Sequence, residues 1–411
     1  MIYPYRRSPL PTKLVSILFL LSLSACGGGS DSTASSAAPD APAGSSQTSA
    51  EIAAIAPPQP PGIIDSESGA VAPLASPATS PALAAAATAA PATSTAPAWN
   101  VTALGTLDPA VQKLKDINNN GAVVGYTTQA PSGSPSLGRI PYQDPFILQN
   151  GQLTSLGNLG GAYGSASDIN DAGQIAGYSY AGGVGQTHAF FYHDGVMDDI
   201  GILLDPNKGS WAQAINSSGQ VAVYTDAGTY VYSNGNMTKK TDAPDRFMPA
   251  ALNDSGQMAG TRLTEGAAAY YDGSALHNLG ALLTTTYSLA TGLNNAGQVI
   301  GVGYGTDGND YRAFLYGAGT MTQLTAADDV QSYATSINNT GEVVGWFESA
   351  DQQWHAFMYR NGQRTDLNSL PGVAASGWVL DDALRVNDAG QILASGTLNG
   401  KPGYCLLTPP T

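Results

Sequence analysis

Basic side chains are scarce in this sequence. Sixteen Lys and Arg stand against thirty-one Asp and Glu in 411 residues, giving a net charge of −15. No Lys/Arg cluster follows residue 13, so nothing is placed to neutralise a run of phosphates, which argues against a nucleic-acid partner. Cysteine occurs twice, at Cys26 and Cys405, too few for a disulfide framework. No apolar run beyond residue 23 approaches the ~18 residues that a membrane-crossing helix needs. Signatures of catalysis are missing as well: there is no Gly-x-Ser-x-Gly elbow, no phosphate-cradling Gly-rich loop followed by Lys, and no Cys/His/carboxylate spacing for a metal. The sequence therefore predicts no catalytic residue, no metal site and no cofactor. What it has in quantity is turn chemistry, with Gly 49 and Pro 26, and that points to a turn-dense, mostly β chain.

The N-terminus carries an address. Arg6, Arg7 and Lys13 precede an apolar run from Leu14 to Leu23, too short to span a bilayer and suited to a secretory signal. Leu23-Ser24-Ala25-Cys26 resembles the lipobox of bacterial lipoproteins. The resemblance implies that residues 1–25 are removed, that Cys26 is lipidated, and that the chain is an outer-membrane lipoprotein facing periplasm or cell surface. Losing three basic residues would take the net charge from −15 to −18. Cys405 would then be the one remaining thiol, in the apolar segment Tyr404–Leu407, and is expected to be buried and inert. Residues 26–97 are rich in Ala, Pro, Ser and Thr and hold no Lys, Arg or aromatic residue. Such a segment cannot bury enough apolar area to offset its chain entropy, and it reads as a disordered tether.

Residues 98–411 repeat. The unit is an apolar residue, Asn, two polar or small residues and Gly, with Asn at 118, 170, 216, 253, 294, 338 and 387. Successive Asn residues are 52, 46, 37, 41, 44 and 49 apart, room for four short strands without an added helix. Strands a and b flank the Asn-x-x-Gly turn. Strands c and d flank a second turn, at Asn150-Gly151, Asp194-Gly195, Asn234-Gly235, Asp272-Gly273 and Asn361-Gly362, dipeptides suited to type I′ geometry. Strand c opens on Phe146, Phe190, Tyr230, Phe314, Phe357 and Tyr404, interrupted by Ala268, a register that predicts core packing between sheets. Seven such units predict an all-β, seven-bladed β-propeller of four-stranded blades. The last unit lacks strand d, and Val101–Leu107 matches other d strands such as Leu153–Leu159. The N-terminal strand is therefore expected to complete the last blade, with an open β-solenoid as the alternative.

His188-Ala189-Phe190, His355-Ala356-Phe357 and Arg312-Ala313-Phe314, set between these turns, resemble the HAF-repeat family of bacterial extracellular proteins. The third and fourth units depart from it, with Gly228-Thr229-Tyr230 and Ala267-Ala268. The resemblance implies export and repeat architecture, without an activity. Because His188 and His355 recur at one repeat position, they read as blade structure. Asp116, Asn118 and Asn120 imitate the start of a calcium loop, but Thr127 stands where the bidentate Glu belongs. Arg385 and Asp116 are expected to pair across the closure between the last and first blades.

The a–b and c–d turns share one face and are short. The b–c and d–a connections share the other face and are longer, and recognition concentrates on such loops. Arg139, Tyr142, Trp354, Trp378 and Asp381 are the predicted ligand contacts. The expected function is a monomeric binding, adhesion or scaffold module, attached to the membrane through its N-terminal lipid, with a glycan or an envelope or extracellular protein as ligand. The alternative is a propeller hydrolase or lyase acting on extracellular or envelope polymer.

Overall fold

The computed structural model describes residues 98–105, 107–128, 142–280, 287–304, 311–324, 326 and 328–410. The predicted signal peptide, Cys26, the tether and Arg139 lie outside the described residues.

The described chain forms seven antiparallel four-stranded sheets from twenty-eight strands, β1–β28. Blade one runs β2 (Gln112–Ile117), β3 (Val123–Thr127), β4 (Asp144–Gln149) and β5 (Gln152–Ser155) in simple up-and-down order. The next five blades repeat that order, starting from β6 (Gly160–Ile169), β10 (Ser210–Ile215), β14 (Phe247–Leu252), β18 (Tyr287–Leu293) and β22 (Gln331–Ile337). Blade seven combines β26 (Trp378–Val386), β27 (Ile392–Leu398) and β28 (Lys401–Thr408) with β1 (Asn100–Ala103). Asn100 pairs with Thr408 and Ala103 with Cys405. The N-terminal strand thus closes the ring, as the matching d-strand sequences predict, and the protein is a seven-bladed β-propeller.

The repeated Asn explains the closure. In every unit its Oδ1 accepts the backbone N–H four residues on, at 2.9–3.0 Å, which shapes the turn. Its Nδ2 donates to the backbone carbonyl of the corresponding Asn in the next blade, at 2.9–3.1 Å. The seventh link runs from Asn387 to Asn118 and completes the circle, so the open solenoid is ruled out. In six units the second amide hydrogen goes to the side chain four residues on, Gln174, Gln220, Gln257, Gln298, Glu342 or Gln391. Each of these buried amides is thus almost fully used, and each inter-blade bond contributes on the order of 1 kcal/mol. Three residues before the Asn, each innermost strand carries a bulge, which raises local twist and turns the strand end toward the axis.

The core lies between blades. Phe146, Phe190, Phe314 and Phe357 are buried, and each pairs with a strand-b glycine. A Cβ on Gly177 would sit 2.5 Å from the Phe190 ring, and one on Gly301 2.6 Å from the Phe314 ring. A Cβ on Gly125, Gly177, Gly301 or Gly345 would also sit 1.9–2.2 Å from a strand-a carbonyl, so the glycine admits the neighbouring backbone and, in blades two and five, the phenyl ring. Blade three has Val223 there, and its partner Tyr230 is only half-buried. Two registers differ from expectation by one residue. Gly260 faces Ala269 rather than Ala268, and in blade seven Cys405 rather than Tyr404 occupies the aromatic position, opposite Ala394.

The c–d turns at Asn150-Gly151, Asp194-Gly195, Asn234-Gly235 and Asn361-Gly362 have positive φ at both residues, as type I′ requires. Asp272-Gly273 does not. Asp272 Oδ1 instead accepts the N–H groups of Ser274 and Ala275, making a longer Asx turn.

Candidate functional site

The two ends of the channel differ in chemistry. At the hairpin end, the Asn circle and the aliphatic residues just before it, such as Ile117, Ile169 and Leu252, line a depression of ≈ 190 Å³. Its outer rim is also hydrogen-bonded. Asn119 donates to both oxygens of Asp171, Asn339 to both of Asp388, and Asn295 Nδ2 to Asp254, at 2.7–2.8 Å. The calcium-like set is consumed in this scheme: Asn118 belongs to the circle, and Asn120 Nδ2 donates to the Asp171 carbonyl.

Just inside lies the predicted ion pair. Arg385 Nε is 3.6 Å from Asp116 Oδ1, joining blade seven to blade one. Asp116 and Asp168 each accept a backbone N–H from the following blade, Ile169 at 3.2 Å and Ile215 at 2.7 Å. Burial, followed by the Asp116 charge, pushes the Asp168 carboxyl well above the usual carboxylate range. Lys115, whose Nζ lies 5.7 Å from the Tyr126 ring centroid, is lowered to about 8 by burial and then by Arg385.

The HAF histidines fasten strand c to strand d. His188 Nδ1 is 2.8 Å from Asp199 Oδ2, and its Nε2 is 3.0 Å from the Pro206 carbonyl. His355 Nδ1 is 2.9 Å from Asp366 Oδ2, with its ring stacked on Phe347. Both are therefore structural. Cys405 is fully buried, and burial pushes its thiol up to about 12, which makes it inert.

The loop end is different. Seven buried side-chain atoms among the described residues have no hydrogen-bond partner: Gln143 Oε1, Trp211 Nε1, Arg246 Nε, Arg262 Nε, Tyr304 OH, Gln331 Oε1 and Asp382 Oδ1. Six of them belong to a b–c or d–a connection, the start of an a strand or the end of a b strand, and Asp382 stands at the middle of β26. Burial, and then Asp381, pushes the Asp382 carboxyl well above the usual range.

The predicted contacts fare unequally. Tyr142 is half-buried just before β4, its hydroxyl raised by burial and by Asp144. Trp354 is half-buried at the start of β24 (Trp354–Arg360), edge-on to Trp346 with ring centroids 4.4 Å apart. Asp381 sits in a second bulge of β26 and accepts from Ser395 Oγ at 2.8 Å. Trp378 is a correction. It is 7% exposed and packs with Val373, Leu380 and Leu407, because blade seven has a tight Asn399-Gly400 turn and its long connection folds over the blade. It is a core residue rather than an anchor. Sequence reasoning missed Tyr304, Tyr333 and Trp346, which belong to strands rather than loops. The available signal was the strand-b glycine, since Tyr126, Tyr178 and Trp346 each follow one.

No family model matches the chain, and no curated protein matches it in sequence. Among solved structures it is similar to the β-propeller domain of the Trilobed protease from Pyrococcus furiosus, described as an open velcro topology, with TM-score 0.48 and 9% identity over 72% of this chain and 95% of that one. It is also similar to the Pyrococcus horikoshii acylaminoacyl peptidase, with TM-score 0.46 and 11% identity over 73% of this chain and 51% of that one. TolB from Acinetobacter baumannii matches with TM-score 0.36 and 13% identity, over 70% and 64% of the two chains. At these identities the likeness concerns the fold alone.

Proposed function

We propose that this chain is an exported, lipid-tethered binding module that recognises a glycan or an envelope or extracellular protein through the loop face of its propeller. The observation that carries this reading is the asymmetry between the ends. The hairpin end spends its Asn and Asp side chains on the ring itself, whereas the loop side carries the longer connections and the half-buried Tyr142 and Trp354. A rigid closed ring with longer, more varied connections on one face is suited to recognition there, because little ordering entropy is lost on binding. The lipobox-like Leu23–Cys26 and the HAF-type repeats support delivery to the outer membrane.

The test has two arms. Cys26→Ser is expected to release the protein from the membrane fraction after a high-salt wash, and full partition with membranes would contradict the anchor. In a screen against immobilised glycans and envelope proteins, retention of an intact target is expected. Cleavage of a glycan target would instead favour a propeller hydrolase or lyase.

A further inference from the structure

The central channel is wet along its innermost strands. In six blades the bulge of that strand holds a neutral residue, Ser167, Gln213, Ala250, Thr291, Thr335 or Leu384. Each of them keeps accessible surface although it stands inside the ring. Blade one puts Lys115 in that place, also half-buried. Charge gathers on this arc alone, with Asp116 beside Lys115, Asp168 from blade two and Arg385 from blade seven. The Asp116 and Arg385 side chains are 20% and 33% exposed, so solutes in the channel reach them.

The acids on this arc are committed. Asp116 accepts the Ile169 N–H and lies 3.6 Å from Arg385 Nε, and Asp168 accepts the Ile215 N–H. Burial keeps a proton on Asp168 to higher pH, which leaves Asp116 as the counter-charge of two cations. The Lys115 amine makes no hydrogen bond or ion pair among the described residues, and it is not closed off from solvent. What lies around it is the Tyr126 ring, 5.7 Å away, and the like charge of Arg385.

An ammonium with a second cation beside it and no acid of its own is stabilised by an anion that enters from solution. The net charge of −15 repels anions in proportion to their charge, which favours a single charge over a phosphate or a polyanion. A carboxylate also accepts from more than one donor at once. We propose that Lys115, with Arg385 behind it, binds the carboxylate of a small monoanionic acid inside the channel. This site goes beyond the loop-face reading and does not depend on it.

The full-length protein, purified in detergent, is treated at about pH 8 with trace acetic anhydride, and acetylation of each lysine is read by peptide mass mapping. Sodium acetate replaces sodium chloride at constant ionic strength. Acetate is expected to slow acetylation of Lys115 about threefold or more, with saturation, because the bound anion covers the amine and holds its proton. Exposed Lys401 should react at an unchanged rate. Line broadening of carbon-13-labelled acetate in NMR should disappear in Lys115→Met without a lower melting temperature, since that amine makes no bond in the ring. Arg385→Gln should raise the acetate concentration needed for half protection about threefold or more. The site is overturned if Lys115 is not protected by about 50 mM acetate, or if sulfate protects it as well as acetate does. Broadening that persists in Lys115→Met overturns it too. Each of these failures leaves the loop-face reading standing, because none of them probes that face.

Discussion

At the scale of single residues, the seven turn asparagines do more than make turns. Asn294 accepts from the N–H of Gln298 and donates to the Gln298 side chain and the Asn338 carbonyl. Asn294→Ala removes its bonds to the Asn338 carbonyl, the Gln298 side chain and the Gln298 N–H together, and a loss of about 2–3 kcal/mol in urea unfolding is expected. Asn295→Ala, on the exposed rim, should cost less than about 1 kcal/mol. Equal losses would contradict the inter-blade role. Asp168 gives a pH test. Burial, and then Asp116, makes its folded carboxyl hold a proton to higher pH than the unfolded one does. The native state then binds more protons than the unfolded state across that window, so this group's contribution to stability falls as pH rises through it. Asp168→Asn should melt with wild type at about pH 4 and several degrees above it at about pH 8. Coincident melting at both pH values would contradict the assignment. The Asn was legible in the sequence as a turn former, because that bond is local. Its second bond was not, because which carbonyl it reaches depends on blades 37–52 residues away.

At the scale of elements, the hairpin pattern was readable because strand, turn and strand are adjacent in sequence. Ring closure was readable from the orphaned d-like strand Val101–Leu107. The slips came where a residue type hides the register. Ala267-Ala268-Ala269 offers no aromatic to mark the position facing Gly260, and Tyr404 drew attention from Cys405. Trp378 was misread because a loop's length does not reveal that it folds back over its own blade. Closure has a direct consequence. Residues 100–103 pair with β28 and cover an edge that would otherwise be open. Deleting residues 98–107 should lower the melting temperature by about 10 °C or more, whereas deleting residues 30–90 should leave it unchanged. Similar melting of the two truncations would contradict closure by this strand.

At the scale of the whole molecule, one ring presents two unlike faces. Short I′ and Asn-x-x-Gly hairpins close one end, and their polar side chains are spent on joining blades. Longer connections mark the other. The sequence distinguished the faces by loop length, but that the hairpin-end Asn side chains are spent on neighbouring blades emerged only when the blades were brought side by side. The most direct measurement blocks each face in turn. Cys405 is fully buried, so a new surface cysteine can be capped selectively with a polyethylene-glycol maleimide. Val379, 61% exposed at the loop end of β26, and Asp194, at the exposed tip of a c–d hairpin, serve as the two positions. Binding to a glycan and envelope-protein array is then compared between capped Val379→Cys and capped Asp194→Cys. The expected result is loss of binding in the first and wild-type binding in the second; binding retained with the loop face capped and lost with the hairpin face capped would contradict the assignment of recognition to the loop face.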